Sequence, residues 1–243
     1  MGKNFIFLDF DGVLFDTVKE AYAVAVISQE KYKSIKEINF DSEHYKKFRK
    51  LRFLVSPAWN YKYLLESIKT IGDIAMIEED FRNKIKLASK IDYQNFENNF
   101  FRTRDFLKKT DYDSWFGLNT PFNFLYNIKN ILNEFEELVY IITTKDSSTV
   151  SKLLSLEGIK LKENRILGKE EYEKFGNKKN IILNLNPKCT KSIFIDDSDK
   201  HVTECSEIEN LKCFVPDWGY IGPNSKPITK EQILDEIKNL IGG

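Results

Sequence analysis

Apolar residues run unbroken over positions 5–8 and stop at the polar step Asp9-Phe10-Asp11-Gly12. Continuous rather than alternating apolar character predicts a strand covered on both faces, as in a parallel sheet. The second half repeats that theme: residues 138–142 end at Thr143-Thr144, and residues 192–195 end at Asp196-Asp197. Shorter runs at 165–167 and 213–215 complete an expected set of five strands. Helical spacing fills the intervals. Thr120-Pro121 reads as an N-cap followed by proline at the first helical position, with Leu125, Ile128, Leu132 and Phe135 on one face. Residues 148–157 carry Val150, Leu153 and Leu154, and Gly158 is placed to stop that helix. Shorter helices are expected over 178–185 and 200–208. The last helix opens on a capping box, Thr229 to Gln232, and continues through Ile233, Ile237 and Leu240. Strand-helix alternation of this kind predicts an α/β fold with a doubly wound parallel sheet.

Between the first strand and Thr120 the pattern is helical, with almost no strand signal. Ser56-Pro57 predicts a helix start, with Tyr61, Leu64, Leu65 and Ile68 on one face. Phe81, Ile85, Phe96, Phe100 and Leu107 predict a longer helix or a helix pair, and the aromatic stretch from Phe96 to Phe106 is expected to form its core. A structureless loop of this length would be out of keeping with a compact domain. The expected organisation is therefore a core of residues 1–16 and 119–243 interrupted by a helical insertion over 17–118.

The chain has 243 residues, of which 42% are apolar and 30% charged, enough for a sizeable buried core. Lys plus Arg and Asp plus Glu both number 37, so net charge is near zero and gives no support to nucleic-acid or anionic-membrane binding. Cys189, Cys205 and Cys213 are odd in number and lack C-x-x-C spacing, which favours reduced thiols over a disulfide or zinc framework. No apolar stretch is long enough to span a bilayer, and the first apolar run is too short for a signal-peptide core. A cytoplasmic protein is the expectation.

Four groups fall at the expected carboxyl ends of parallel strands, where open α/β sheets place their ligands. They are Asp9-x-Asp11-Gly12, Thr143, a lysine at 178 or 179, and Asp196-Asp197. A carboxylate such as Asp9 can attack phosphorus in line and split a hard hydrolysis into two easier steps. A second carboxyl two residues on, Asp11, can protonate the leaving oxygen and then activate water, and Gly12 permits the tight turn. Clustered carboxylates repel one another and a phosphate, so a cation is needed; magnesium favours one or two carboxylates, waters and a phosphate oxygen. Thr143, or Thr144 in its place, can hydrogen-bond a phosphoryl oxygen, and a lysine ammonium can neutralise its charge. Lys178 follows Gly176-Asn177 and is preferred, with Lys179 as the alternative.

This order resembles the haloacid dehalogenase-like hydrolase superfamily over the whole chain. Residues 9–17 (DFDGVLFDT) are similar to its first motif, Ile141-Ile142-Thr143-Thr144-Lys145 to the second, Gly176-Asn177-Lys178 to the third and Phe194-Ile195-Asp196-Asp197-Ser198 to the fourth. Trp218-Gly219-Tyr220 is similar to the phosphoglycolate phosphatase-like branch, whose helical cap the insertion resembles. The third motif departs from the usual pattern in lacking a proline after the lysine, and Asp196 stands where a glycine is common. The resemblance implies a magnesium-dependent phosphatase acting on a small phosphorylated metabolite, a sugar or organic-acid phosphate, through an aspartyl-phosphate. It implies Asp9, Asp11, Thr143 and Lys178 as catalytic and Asp9, Asp197 and the Asp11 backbone carbonyl as magnesium ligands, with Asp196 a second or outer one. Thr143, Thr144 and Lys178, with Arg49 and Arg52 of the cap, would contact substrate, as would Tyr45 and Trp59; a solvated face is the competing reading of the two arginines. Asp199 reads as a solvated helix start, with mimicry of a later acid of the fourth motif as the alternative, and Asp16 could be a helix N-cap or a functional group. His44, at helical spacing before Phe48, Leu51 and Val55, is expected half-buried in the cap, and His201 is expected to open the helix after Asp197. A phosphomutase is the alternative on the same scaffold. A dehalogenase is disfavoured by Asp11, and an inactive binding protein by the intact acidic motifs.

Overall fold

The computed structural model describes residues 4–70, 72–185 and 191–242. In chain order the elements begin with β1 (Ile6–Leu8) and β2 (Phe15–Asp16). Six helices follow: α1 (Val18–Ser28), α2 (Glu43–Lys50), α3 (Asn60–Thr70), α4 (Ile74–Leu87), α5 (Lys90–Thr110) and α6 (Tyr112–Phe116). Then come β3 (Thr120–Pro121), α7 (Asn123–Glu134), β4 (Val139–Ile142), α8 (Ser147–Leu156), β5 (Ile166–Leu167), α9 (Lys169–Phe175) and α10 (Lys178–Leu185). The chain closes with β6 (Ser192–Ile195), α11 (Asp199–Cys205), β7 (Leu211–Phe214) and α12 (Lys230–Gly242). It divides into two compact units: Met1–Asp16 with Pro121–Gly243, and Thr17–Thr120.

The first unit is built on a five-stranded sheet of order β5-β4-β1-β6-β7. β1 is central and parallel to both neighbours, with Leu8 level with Ile141 and Ile195. Ile6, Phe7 and Leu8 are all buried, as expected for a strand covered on both faces. From β1 the chain builds outward through β4 and β5 on one side and β6 and β7 on the other. Strand order therefore reverses at β1, and the carboxyl ends of β1, β4 and β6 converge there. Phe7, Ile142, Ile181, Ile182, Phe194 and Cys205 form a core cluster under the sheet. Gly158 follows α8 with φ +71°, and Thr229 and Gln232 exchange both capping-box bonds before α12.

Among its described residues the second unit is built from the helices α1 to α6. α3 buries the expected Tyr61, Leu64, Leu65 and Ile68, and the expected long segment is a helix pair, α4 and α5. Along α5 only one stripe is buried, Phe96, Phe100, Arg104 and Leu107; Phe106 is 58% exposed and is not core. Spacing explains it, since these four sit at i, i+4, i+8 and i+11 while Phe106 falls on the far face. No helix among the described residues is long and apolar enough to cross a membrane.

Several local expectations are corrected. Thr120-Pro121 belongs to β3, and α7 begins at Asn123 with Phe122 at its N-cap. Phe122 donates its backbone N–H to the Leu14 carbonyl, so backbone pairing holds this stretch extended against its helix-start signal. α3 starts at Asn60 rather than Ser56; the Asn60 side chain accepts from the Ser56 N–H and closes a turn ahead of the helix. Asp16 is not the cap of α1, since Thr17 holds that place and Asp16 Oδ1 accepts from the Tyr220 hydroxyl at 2.9 Å. α11 ends at Cys205, three residues short of the expected stop, with His201 in its first turn. α9 was not expected; it is bounded by Gly168, whose N–H donates to Glu171, and by the left-handed Gly176. Cys205 is buried and Cys213 half-buried, and neither is in a disulfide; Cys189 lies outside the described residues.

Candidate active site

The turn after β1 carries the first pair of carboxylates. Asp9 continues the sheet, donating its N–H to the Ile195 carbonyl at 2.9 Å. Gly12, at φ +83°, then turns the chain back so that its N–H donates to Phe15 O. The Phe10 and Phe15 rings stack at 4.7 Å beneath the turn, which fixes the loop from below. A Cβ on Gly12 would lie 1.9 Å from Asp197 Oδ2, so only glycine lets the two motif loops meet this closely.

Lys178, the first residue of α10, is fully buried and its ammonium bridges two carboxylates. Nζ stands 2.9 Å from Asp9 Oδ1 and 2.7 Å from Asp196 Oδ2. Lys179 instead points outward to an ion pair with exposed Glu207. Asp196 is also wholly buried; it accepts the Ser198 N–H at 2.8 Å and lies within 3.1 Å of His201 Nδ1. Asp197 Oδ2 accepts the Tyr220 N–H at 2.8 Å.

Electrostatics follow from burial and neighbours. Burial pushes the Asp9 carboxyl up to about 6 against the pull of Lys178, and the charges of Asp196 and Asp11 add to the rise. Burial also opposes ionisation of Asp196, yet Lys178 and His201 hold it well below the usual carboxylate range. Burial works against the Lys178 charge too, but Asp196 and Asp9 keep the ammonium above its ordinary value. The result is a buried site in which Asp9, its pKa raised, sits beside a cation held by two carboxylates.

Thr143 is buried at the end of β4, its Oγ1 accepting the Lys145 N–H at 3.2 Å; Thr144 beside it is half-buried. Lys145 is a site residue that sequence reasoning did not single out: it is 3% exposed and its Nζ lies 3.2 Å from Asp11 Oδ1. His201 was likewise missed as an Asp196 partner. The available signal was its i+5 offset from Asp196 on the following helix, which could not be read without knowing which way the ring faces. Asp199 is exposed in the first turn of α11 and bonded to Ser225. The loop Trp218-Gly219-Tyr220 braces the site. Trp218 Nε1 donates to Val13 O at 3.0 Å, and a Cβ on Gly219 would meet Asp197 Cβ at 2.5 Å and Gly12 O at 2.8 Å.

The remaining predicted residues lie in the helical unit. Arg49 is exposed at the end of α2. Arg52 donates to Val55 O at 2.7 Å with its guanidinium 5.4 Å from the Tyr61 ring centre. His44 is half-buried, its Nδ1 2.9 Å from the Tyr22 hydroxyl, and burial with Lys31 and Lys47 lowers its pKa. Tyr45 is buried beside Tyr22, and Trp59 stacks on Tyr93.

Asp9, Asp196 and Asp197 each offer an oxygen within 4.8 Å of the others. Hard oxygen donors of this kind fit magnesium, and a cation there would favour the ionised Asp9 against the burial and neighbouring carboxylates that raise its pKa.

No family model matches the sequence, and no curated protein matches it. Solved structures do match over nearly the whole chain. One is a predicted phosphatase from Clostridium acetobutylicum: 14% identity, 98% of this chain and 100% of that one, TM-score 0.62. Another is a haloacid dehalogenase-like family hydrolase from Streptococcus pneumoniae: 15% identity, 97% and 98% coverage, TM-score 0.60. A third is a predicted phosphoglycolate phosphatase from Haemophilus somnus: 11% identity, 96% and 97% coverage, TM-score 0.58. The chain thus has the fold of the haloacid dehalogenase-like hydrolases, including the phosphoglycolate phosphatase-like branch.

Proposed function

We propose that the protein is a magnesium-dependent phosphatase of small phosphomonoesters, with Asp9 as nucleophile. The observation that carries the proposal is the buried Asp9–Lys178 pair, 2.9 Å apart, at the carboxyl end of the central strand. It joins a nucleophile to a cation able to hold a phosphoryl oxygen. Asp9 attacks phosphorus and forms an aspartyl-phosphate while Asp11 gives its proton to the departing alkoxide. Asp11 then takes a proton from water, which attacks phosphorus and releases phosphate with Asp9 restored. Lys145 orients the Asp11 carboxyl between the two steps. Thr143, with Thr144 beside it, and Lys178 hold the phosphoryl oxygens. Asp9 and Asp197, with the Asp11 carbonyl, would hold magnesium, which supplies the positive charge that lets an anionic phosphate approach an anionic carboxylate.

The helical unit is then the cap, with Arg49 and Arg52 as candidates for reading the rest of a sugar or organic-acid phosphate. Asp11 favours phosphate over halide as the leaving chemistry. A phosphomutase would instead return the phosphoryl group to a sugar, and product analysis separates the two. The test is release of inorganic phosphate from p-nitrophenyl phosphate and a panel of phosphorylated metabolites, with and without Mg2+. Asp9→Asn should lower the rate about 10⁴-fold. Full activity in that variant would refute the assignment.

A further inference from the structure

Asp196 belongs to the acidic cluster, yet its oxygens are already occupied. Oδ2 accepts from Lys178 Nζ at 2.7 Å, Oδ1 accepts from the Ser198 N–H at 2.8 Å, and His201 Nδ1 lies 3.1 and 3.3 Å from the two. A carboxylate of this kind can only accept, so the Nδ1 of His201 carries the proton and donates it. His201 is 5% exposed, its ring faces Tyr172 of α9, and its Nε2 has no partner. Three elements thus meet behind the nucleophile: α11 through His201, the end of β6 through Asp196, and the start of α10 through Lys178.

We propose that His201 and Asp196 are positioning residues that hold the Lys178 ammonium on Asp9, and that Asp196 is not a metal ligand. This goes beyond the phosphatase reading and rests on it only for the kinetic part of its test. Lysine is a flexible chain carrying a point charge, so a buried lysine needs a fixed anion to keep its nitrogen in one place. Asp196 is that anion. His201 in turn fixes the rotation of the carboxylate, as outer partners do for ligating side chains. Asp197, held by the Tyr220 N–H on the other motif-four position, is left as the metal-binding carboxylate of the pair.

The direct test reads Lys178 itself. The full-length protein is treated with an amine acetylating reagent and Lys178 and Lys179 are followed by peptide mass mapping, exposed Lys179 serving as internal control. Lys178 should resist in wild type and in His201→Asn, whose amide N–H replaces Nδ1–H. It should react about tenfold faster or more in His201→Leu and Asp196→Asn. In parallel, Mn2+ affinity is titrated by electron paramagnetic resonance: Asp196→Asn should stay within about threefold of wild type, and Asp197→Asn should lose about 30-fold or more. On p-nitrophenyl phosphate, His201→Leu should lose about 10- to 100-fold in kcat with KM little changed, and His201→Asn should recover most of it. Equal protection of Lys178 in all variants, or no rescue by asparagine, overturns the positioning role. Asp196→Asn losing Mn2+ as Asp197→Asn does overturns the exclusion of Asp196 from the metal. A wild type that releases no phosphate refutes the hydrolase reading alone, since the acetylation and Mn2+ results stand without turnover.

Discussion

Both units bury charge, but they do so to opposite ends. In the helical unit Glu20 is completely buried and fully answered: Arg104 Nε and Nη2 reach its two oxygens at 2.7 and 3.0 Å, and Trp115 Nε1 donates at 3.1 Å. The guanidinium also lies over Phe100, 4.8 Å from its ring centre. One carboxylate meets one bidentate cation. At the sheet ends of the α/β unit, Asp9, Asp11, Asp196 and Asp197 outnumber Lys145 and Lys178, and burial, with the charges of Asp196 and Asp11, raises the Asp9 pKa against the pull of Lys178. A balanced buried pair joins α1 to α5. An unbalanced one is where a cation and a phosphate can add something.

Breaking the balanced pair should have the larger effect on folding. Glu20→Ala leaves Arg104 as an uncompensated buried cation and should cost about 3–5 kcal/mol in denaturant unfolding. Replacing both partners with apolar residues of similar volume should recover most of that loss. A cost below about 1 kcal/mol for the single variant would mean the pair is not what orders this unit.

The same operation at Asp9 should have the opposite sign. Its carboxyl is raised from 3.8 to about 6 on folding, so the folded state binds more protons between those values. Stability from this group is present below pH 3.8 and is lost as pH rises through 6. In metal-free protein at pH 7, Asp9→Asn should therefore stabilise by on the order of 1–3 kcal/mol, with the gain vanishing near pH 4. Thermal unfolding with a chelator across that range measures it, and a destabilised variant at pH 7 would erase the contrast between the units.

Gly219→Ala probes how the unbalanced cluster is held. The new methyl would press on Asp197 and on the Gly12 carbonyl, costing about 1–3 kcal/mol and weakening Mn2+ binding with it. Unchanged binding in a folded Gly219→Ala protein would show that the Trp218–Tyr220 loop does not fix Asp197. The smallest effect belongs to Lys179→Ala. Its partner is an exposed glutamate, so neither the unfolding midpoint nor the rate of phosphate release should move measurably. A loss of activity there would reopen the choice between the two lysines.

The five strands were legible because each is a short apolar run ended by polar residues, and that signal is local. Thr120-Pro121 misled for the same reason: its helix-start chemistry is local, while the Phe122–Leu14 hydrogen bond that holds it extended joins positions far apart in sequence. Arg104 was hidden inside an aromatic stretch until the stripe Phe96, Phe100, Arg104, Leu107 showed it on the buried face. Lys145, at the end of the second motif, and His201, five residues after Asp196, gave only weak local signs, since each is defined by a carboxylate on another element.

Sequence by itself determined the strand order along the chain, the helical insertion after the first strand, and the acidic pairs at strand ends. These rest on periodicity and on what a residue can do next to its neighbours. Tertiary structure alone decided that Lys178 turns inward while Lys179 turns out, that Asp11 meets Lys145, and that Asp196 lies between Lys178 and His201. The reason is that a charge acts through space, and which charges share a buried volume is fixed only when the sheet brings their strands together.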